Sequence, residues 1–307
     1  MRAAGSGAGV GRLDLVVSGH TNLDRIVRVE RLPERDRTVP ARADQVQLGG
    51  TAANIARVAG RAGVKVGLVS RVGADFPAEM IAQLRKDHVD TRAVTRVDGR
   101  LSSLCYIFED PRGGQMTVFR QGPMDDAEDV PIDPAWLDGA PWLHLTTGDP
   151  AFQLRFSEEA RRRGIHVAVD PAQEVHYRWD AARLGQLLEG AEILFGNRAE
   201  LERVRSLLRV RTLLGLTNRV PLVVMTDGPK GARAVSRRGT VAVAAARVAI
   251  AERVTGAGDA FRGGFYSAYL RGAPLDATLR EAVESAARWI ATRGGGGRAK
   301  PWRARSR

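Results

Sequence analysis

One cysteine in 307 residues, Cys105, excludes a disulfide within the chain and any Cys-based zinc site. The five histidines show no H-x-x-x-H spacing, which removes the common zinc hydrolases. Lysine is scarce: only four of the 47 cations are lysine, and none follows a glycine, so no Walker A loop exists. The glycine-rich opening GSGAGVG fits G-x-G-x-x-G in no register and precedes the first strand, where a dinucleotide loop should follow it. No stretch approaches the ~20 apolar residues that a membrane span needs. The first residues, MRAAGSGAGVGR, lack the apolar centre of a secretory signal. The expectation is a soluble cytoplasmic protein with no membrane partner.

What is present suits a folded α/β chain. Hydrophobic residues make up 44% and charged residues 27%, enough apolar content to build a core. The length exceeds the usual ~100–200 residues of a domain, but an α/β fold of this size can share one core. The net charge is +12, and six cations (Arg293, Arg298, Lys300, Arg303, Arg305, Arg307) fall in the last fifteen residues, which contain no acid. A basic tail over 298–307 could meet phosphates of nucleic acid. The plainer reading is a solvated end of an arginine-rich chain, so nucleic acid is not expected as a partner.

Short β-branched runs alternate with amphipathic stretches. LDLVVSG (Leu13–Gly19) reads as a buried strand, TAANIARVAGRAG (Thr51–Gly63) as a helix, and VKVGLVSRVG (Val64–Gly73) as the next strand. PAEMIAQLRKD reads as a helix with proline in its first turn. The alternation continues through WLHLTT, FQLRFSEEARRRG, HVAVD, LGQLLEGA, EILFG, AELERVRSLL and PLVVMTDG. It predicts a mostly parallel sheet with helices on both faces, over about residues 13–297. Two segments, about 24–48 and 101–122, break the pattern with β-rich runs such as RIVRV, QVQL, LCYIF and MTVF. They are expected to pair as a small β lid over the carboxyl ends of the parallel strands, where open α/β sheets bind ligands.

The strongest motif is RVTGAGDAFRGGF, from Arg253 to Phe265. Gly256, Ala257 and Gly258 form a small-residue turn that opens a helix. Backbone N–H groups there lack intrahelical partners and can hold an anion, aided by the helix dipole. Asp259 follows in the first turn. A carboxylate beside a bound phosphate is repelled by it, unless a hydroxyl lies between the two. Asp259 then takes the hydroxyl proton while the N–H groups hold charge on the transferring phosphoryl group. The bland alternative is an ordinary acid favoured at a helix start.

GAGDAFRGGF resembles the carboxyl-terminal signature of the ribokinase and phosphofructokinase-B family of carbohydrate kinases. LGGTAANIARVAGRAG (Leu48–Gly63) is similar to its amino-terminal signature, and GHTNLD (Gly19–Asp24) to its first substrate strand. NRAE (Asn197–Glu200) resembles its N-x-x-E, and TDGPKGA (Thr226–Ala232) its nucleotide-side loop. The five occur in family order. GHTNLD, HLTTGDPAF, VDPAQE and the arginine of GDAFRGGF look most like archaeal nucleoside kinases. The resemblance implies a ribokinase-like three-layer α/β/α sandwich with a small β-sheet lid. It also implies ATP as donor, Mg²⁺ as cofactor, a nucleoside or sugar as acceptor, and a homodimer through the lid. It leaves open a sugar or sugar-phosphate kinase of the same family, and a non-catalytic binder or nucleic-acid-associated regulator on the same scaffold.

The site residues follow. Asp24, at a strand end, can accept hydrogen bonds from vicinal hydroxyls, with Asn22 two residues earlier on the same face. Gly49 and Gly50 allow close approach to a ribose, Asn54 offers donor and acceptor together, and Gln173 could touch the base. By resemblance, Asn197 and Glu200, at i, i+3, organise Mg²⁺ and its waters. Thr226, Gly228 and Gly231 suit triphosphate contacts. One departure stands out: the family's aspartate two residues before the threonine is here Arg253, beside Glu252. A guanidinium opposes a bound cation, which argues against potassium activation.

Overall fold

A computed structural model describes residues 12–248 and 255–292. The glycine-rich opening, Glu252, Arg253 and the basic 298–307 segment lie outside the described residues. The first half runs β1 (Leu15–Ser18), β2 (Asn22–Val29), β3 (Ala41–Gly49), α1 (Thr51–Arg61), β4 (Val66–Gly73), α2 (Ala78–Lys86), β5 (Val89–Asp90), β6 (Val94–Val97), β7 (Leu104–Glu109) and β8 (Gln115–Arg120). The second runs β9 (Trp142–Leu145), α3 (Pro150–Arg162), β10 (His166–Val169), α4 (Ala181–Leu188), β11 (Ile193–Asn197), α5 (Arg198–Leu207), α6 (Leu213–Leu216), β12 (Leu222–Thr226), β13 (Ala232–Ser236), β14 (Gly239–Val243), α7 (Ala257–Tyr269) and α8 (Leu275–Ala291).

The main sheet has the order β14-β13-β12-β11-β10-β9-β1-β4-β5, with β6 also on β4. It is parallel from β12 to β5 and ends in the antiparallel strands β13 and β14. The central strands are buried on both faces, as β1 and β9 show along their whole length, and the period of two divides their side chains between two cores. Leu15 and Val17 join Ile55, Phe261, Phe265 and Leu279 on the face covered by α1, α2, α7 and α8. Val16, between them, joins Phe152, Phe156, Leu184, Leu201 and Val204 on the opposite face, under α3 to α6. The layered α/β/α architecture is thus observed. The β13–β14 hairpin, the short β5 and β6, and the 17-residue α8 were not read from the sequence.

A separate four-stranded sheet, ordered β3-β2-β7-β8, comes from the two segments that broke the alternation. Its central β2–β7 pair is parallel although hairpins flank it. Two expectations are corrected here. Asp24 does not end the first strand: β1 stops at Ser18, and Asp24 is the third residue of β2 in the second sheet. Pro77 caps α2 rather than lying within its first turn. Among the described residues no helix is long and apolar enough to cross a membrane.

Candidate active site

The GAG turn is built as a helix start. Gly256 is the N-cap of α7 at φ 86°, a left-handed conformation that glycine adopts without a Cβ penalty. Ala257 and Gly258 are then the first two helical residues, so their N–H groups are among those without intrahelical partners. The later glycines of GDAFRGGF serve packing. A Cβ on Gly263 would lie 2.6 Å from the Val58 side chain on α1, and one on Gly264 2.3 Å from Ser285 on α8. These close approaches set where α7, and hence Asp259, sits against its neighbours.

Asp259 is partly exposed, and its Oδ2 accepts a 2.9 Å hydrogen bond from Asn54 Nδ2, 205 residues away in sequence. Burial pushes its carboxyl up to about 7; the Asn54 hydrogen bond and Arg262 oppose that rise, while Asp170 and Glu200 add to it. A carboxylate poised there can accept a proton near neutral pH.

Asn54 also ties this centre to the second sheet. It lies one turn into α1, whose N-cap Gly50 (φ 105°) directly follows β3. There Gly49 pairs with Asn22 across the β2–β3 ladder. Asn22 Nδ2 donates to Asp24 Oδ1 at 2.7 Å, and both side chains are buried. The Asp24 carboxyl lies so close over Gly49 that any Cβ there would fall 2.3 Å from it. Burial raises the Asp24 carboxyl to about 6, against hydrogen bonds from Asn22 and Gln47 and the charge of Arg57. Cys105, its register partner on β7, is raised to about 12 by burial and by the Asp24 charge, so it is a neutral thiol.

Asn197 and Glu200 meet differently from the shared helical face expected of them. Asn197 is the N-cap of α5, and the two form a reciprocal capping box. Asn197 Oδ1 accepts from the Glu200 N–H at 2.9 Å, and Glu200 Oε2 accepts from the Asn197 N–H at 2.7 Å. Burial raises the Glu200 carboxyl, Asp170 adds to this, and Arg262 opposes it. Thr226, ending β12, is the register partner of Asn197, which brings the two predicted motifs to one sheet edge. Gly228 and Gly231 shape the turn into β13 at φ 52° and 91°, and a Cβ on Gly231 would strike the Val243 carbonyl.

Gln173 is exposed on the single turn Ala172–His176, whereas its neighbour Glu174 is buried. Glu174 Oε2 accepts from the Gly148 N–H at 2.7 Å, and Oε1 lies 3.9 Å from His20 Nδ1. Burial lowers His20 to about 4 and raises Glu174 to about 7. The largest omission of the sequence reading is Asp170, fully buried at the end of β10 and paired with Arg262 of α7. The available signal was one charge, Arg262, in the otherwise apolar run AFRGGF.

Residues 12–303 match the family described as pfkB family carbohydrate kinase. A nucleoside kinase of Methanothermobacter thermautotrophicus is 34% identical over 264 residues, covering 85% of this chain and 84% of that protein. A cytidine kinase of Thermococcus kodakarensis is 31% identical, covering 89% and 95%. Among solved structures, the nucleoside kinase of Methanocaldococcus jannaschii, an archaeal member of the ribokinase family, aligns at a TM-score of 0.82 and 26% identity over 94% of each chain. With its GAG turn, poised aspartate and ribokinase-like fold, this chain belongs to the pfkB family of carbohydrate kinases, phosphotransferases that use an alcohol group as acceptor.

Proposed function

We propose that the protein is an ATP-dependent kinase that phosphorylates the 5′-hydroxyl of a ribonucleoside. The observation that carries this reading is Asp259, held by Asn54 at the open start of α7 with a carboxyl near 7. Asp259 takes the proton of the 5′-hydroxyl, whose oxygen bonds to the γ-phosphorus as the bond to the bridging oxygen of the leaving ADP breaks. The N–H groups of Gly256–Gly258 hold the charge on the transferring group, since positioning and charge stabilisation dominate phosphoryl transfer. Asp24 and Asn22 grip the ribose hydroxyls, with Gly49 making room for the Asp24 carboxyl, Gly50 turning the chain beside it, and Gln173 at the base end. Thr226, Gly228, Gly231 and Asn197 line the triphosphate side. The nucleoside and cytidine kinases among the relatives support the acceptor class.

Mg²⁺ fits this site as an ion bound mainly to phosphates and water. Among the described residues no group of three or more His, Cys, Asp or Glu forms a metal cage. Asn197 and Glu200 already use oxygens in the capping box, but each keeps further lone pairs to hold the ion through its waters. Bound there, Mg²⁺ would neutralise phosphate charge.

The second sheet serves as the lid in this reading. Val46, Arg25, Tyr106 and Val118 share one row across its four strands, and Val46, Val118 and nearby Met116 are exposed. That row, apolar at Val46 and Val118 and with the exposed Arg25–Asp44 ion pair beside them, is the surface for a homodimer. The central test assays nucleosides, ribose and fructose 6-phosphate as acceptors with Mg·ATP. Turnover of inosine or cytidine above the sugars supports the proposal; a free sugar or sugar phosphate preferred over every nucleoside overturns it.

A further inference from the structure

Arg262 touches several of the site's parts at once. Its Nε and Nη2 form a bidentate pair with Asp170, Nη2 at 3.0 Å from Oδ1. Its Nη1 donates to the Gly258 carbonyl at 2.9 Å, and Nη2 lies 3.8 Å from Glu200 Oε2. The guanidinium sits 6.0 Å above the Phe195 ring, and Arg262 and Asp170 are 5% and 0% exposed. One rigid fork thus connects the end of β10, the anion-holding turn and the capping box of α5. One turn further along α7, the Tyr266 hydroxyl meets His144 Nδ1 at 2.8 Å, and His144 Nε2 lies 4.0 Å from Asp170.

Stability alone does not explain this arrangement. A buried ion pair is weak evidence for stability, because taking two charges out of water costs about what their attraction returns. Apolar residues could fill the same volume on a helix that is otherwise apolar there. Arg262 instead stands three residues after Asp259, on the same face of α7. Three carboxylates, Asp170, Glu200 and Asp259, surround it.

We propose that Arg262, braced on Asp170, is a positioning residue for phosphoryl transfer. Through the Gly258 carbonyl it holds the GAG turn and the first turn of α7, and through Glu200 it holds the capping box in the same frame. The role requires the fork: a lysine ammonium can pair with Asp170 but cannot present the same planar donors to three acceptors. This inference rests on the kinase reading above.

The test uses R262K and the double variant R262Q/D170N, which removes one charge of each sign from the buried cluster. Steady-state kinetics with Mg·ATP are paired with calorimetric ATP binding without acceptor, and with thermal melting. Displacing reacting groups by about 1 Å costs on the order of 10²-fold. The expected result is a kcat loss of about 10-fold for R262K and about 100-fold for the double variant. The nucleoside KM should stay within about threefold, and ATP binding should weaken at least about fivefold. Trp289 reports on the turn independently: its Nε1 donates to the Thr255 carbonyl at 2.9 Å, and its ring would lie 3.1 Å from a Cβ on Gly256. Its emission should therefore change in the variants, judged against W289F.

Native kcat and native ATP binding in either variant would overturn the assignment. So would a kcat loss matched by an equal rise in nucleoside KM and a melting transition below the assay temperature, the pattern of a purely structural pair. If wild type phosphorylates no acceptor, the kinase reading fails separately. ATP binding and Trp289 emission then still decide whether Arg262 orders the turn.

Discussion

Removing the charge of Asp24 tests substrate recognition and folding together. Its carboxyl is 6% exposed and raised from 3.8 to about 6, chiefly by burial. That is about two pKa units, or ~3 kcal/mol against the charged form. A carboxyl raised in the folded state binds protons that the unfolded chain has released. The penalty is therefore absent below about pH 4, grows as pH rises, and is complete above about pH 6. Asp24→Asn should be more stable than wild type by up to ~3 kcal/mol at pH 7.5, with the difference vanishing near pH 4. Function should move the other way. A hydrogen bond to a charged group contributes about 1.5–3 kcal/mol, so the missing hydroxyl of a 2′-deoxynucleoside should lower kcat/KM by about 10–100-fold in wild type. In Asp24→Asn and Asp24→Ala, ribonucleoside activity should fall and the gap should close to within about threefold. The assay compares kcat/KM for cytidine and 2′-deoxycytidine on the three proteins, alongside urea unfolding at pH 4 and 7.5. Equal use of both nucleosides by wild type would refute the ribose clamp, and equal stabilities at pH 7.5 would refute the burial argument.

Asp259→Asn should bind ADP nearly as wild type does while kcat falls ~10²–10⁴-fold, the usual effect of losing a general base; near-native turnover would remove Asp259 from that role. Because its carboxyl sits near 7, wild-type kcat should rise about tenfold per pH unit below that value and level off above it. Asn54→Ala removes a hydrogen bond to the charged form, so the midpoint should move to higher pH; a shift to lower pH contradicts the reading. Gly49→Ala must displace the Asp24 carboxyl and should cost at least about tenfold in ribonucleoside kcat/KM, which a crystal structure and kinetics of the variant would check. A chain ending at Gly297 should keep wild-type kcat/KM, whereas steeply salt-dependent duplex binding by the full chain, lost on truncation, would assign the basic tail to nucleic acid.

Much of this protein was legible in one dimension because the relevant physics is local. The unbroken apolar run of Leu15, Val16 and Val17 announces a strand buried on both faces. The glycines around Asp259 announce a helix start open to an anion, whereas N-x-x-E reads as two residues on one helical face and closes instead as a capping box. The family signatures are such local devices in series.

Tertiary structure decided what depends on sheet order. Asp24 reads as the end of a first strand, yet the chain leaves β1 at Ser18 and starts the second sheet at Asn22. Only the β2–β3 pairing lays its carboxyl over Gly49. Asn54 meets Asp259 because α1 and α7 pack through Gly263, and Asp170 meets Arg262 because β10 lies beneath α7. In VDPAQE the sequence points to Gln173, which the fold leaves exposed, and gives no sign of Glu174, which the fold buries. Periodicity tells which face of an element is buried. It does not tell which distant charge shares that burial, and desolvation together with such partners sets the protonation of Asp24, Glu200 and Asp259.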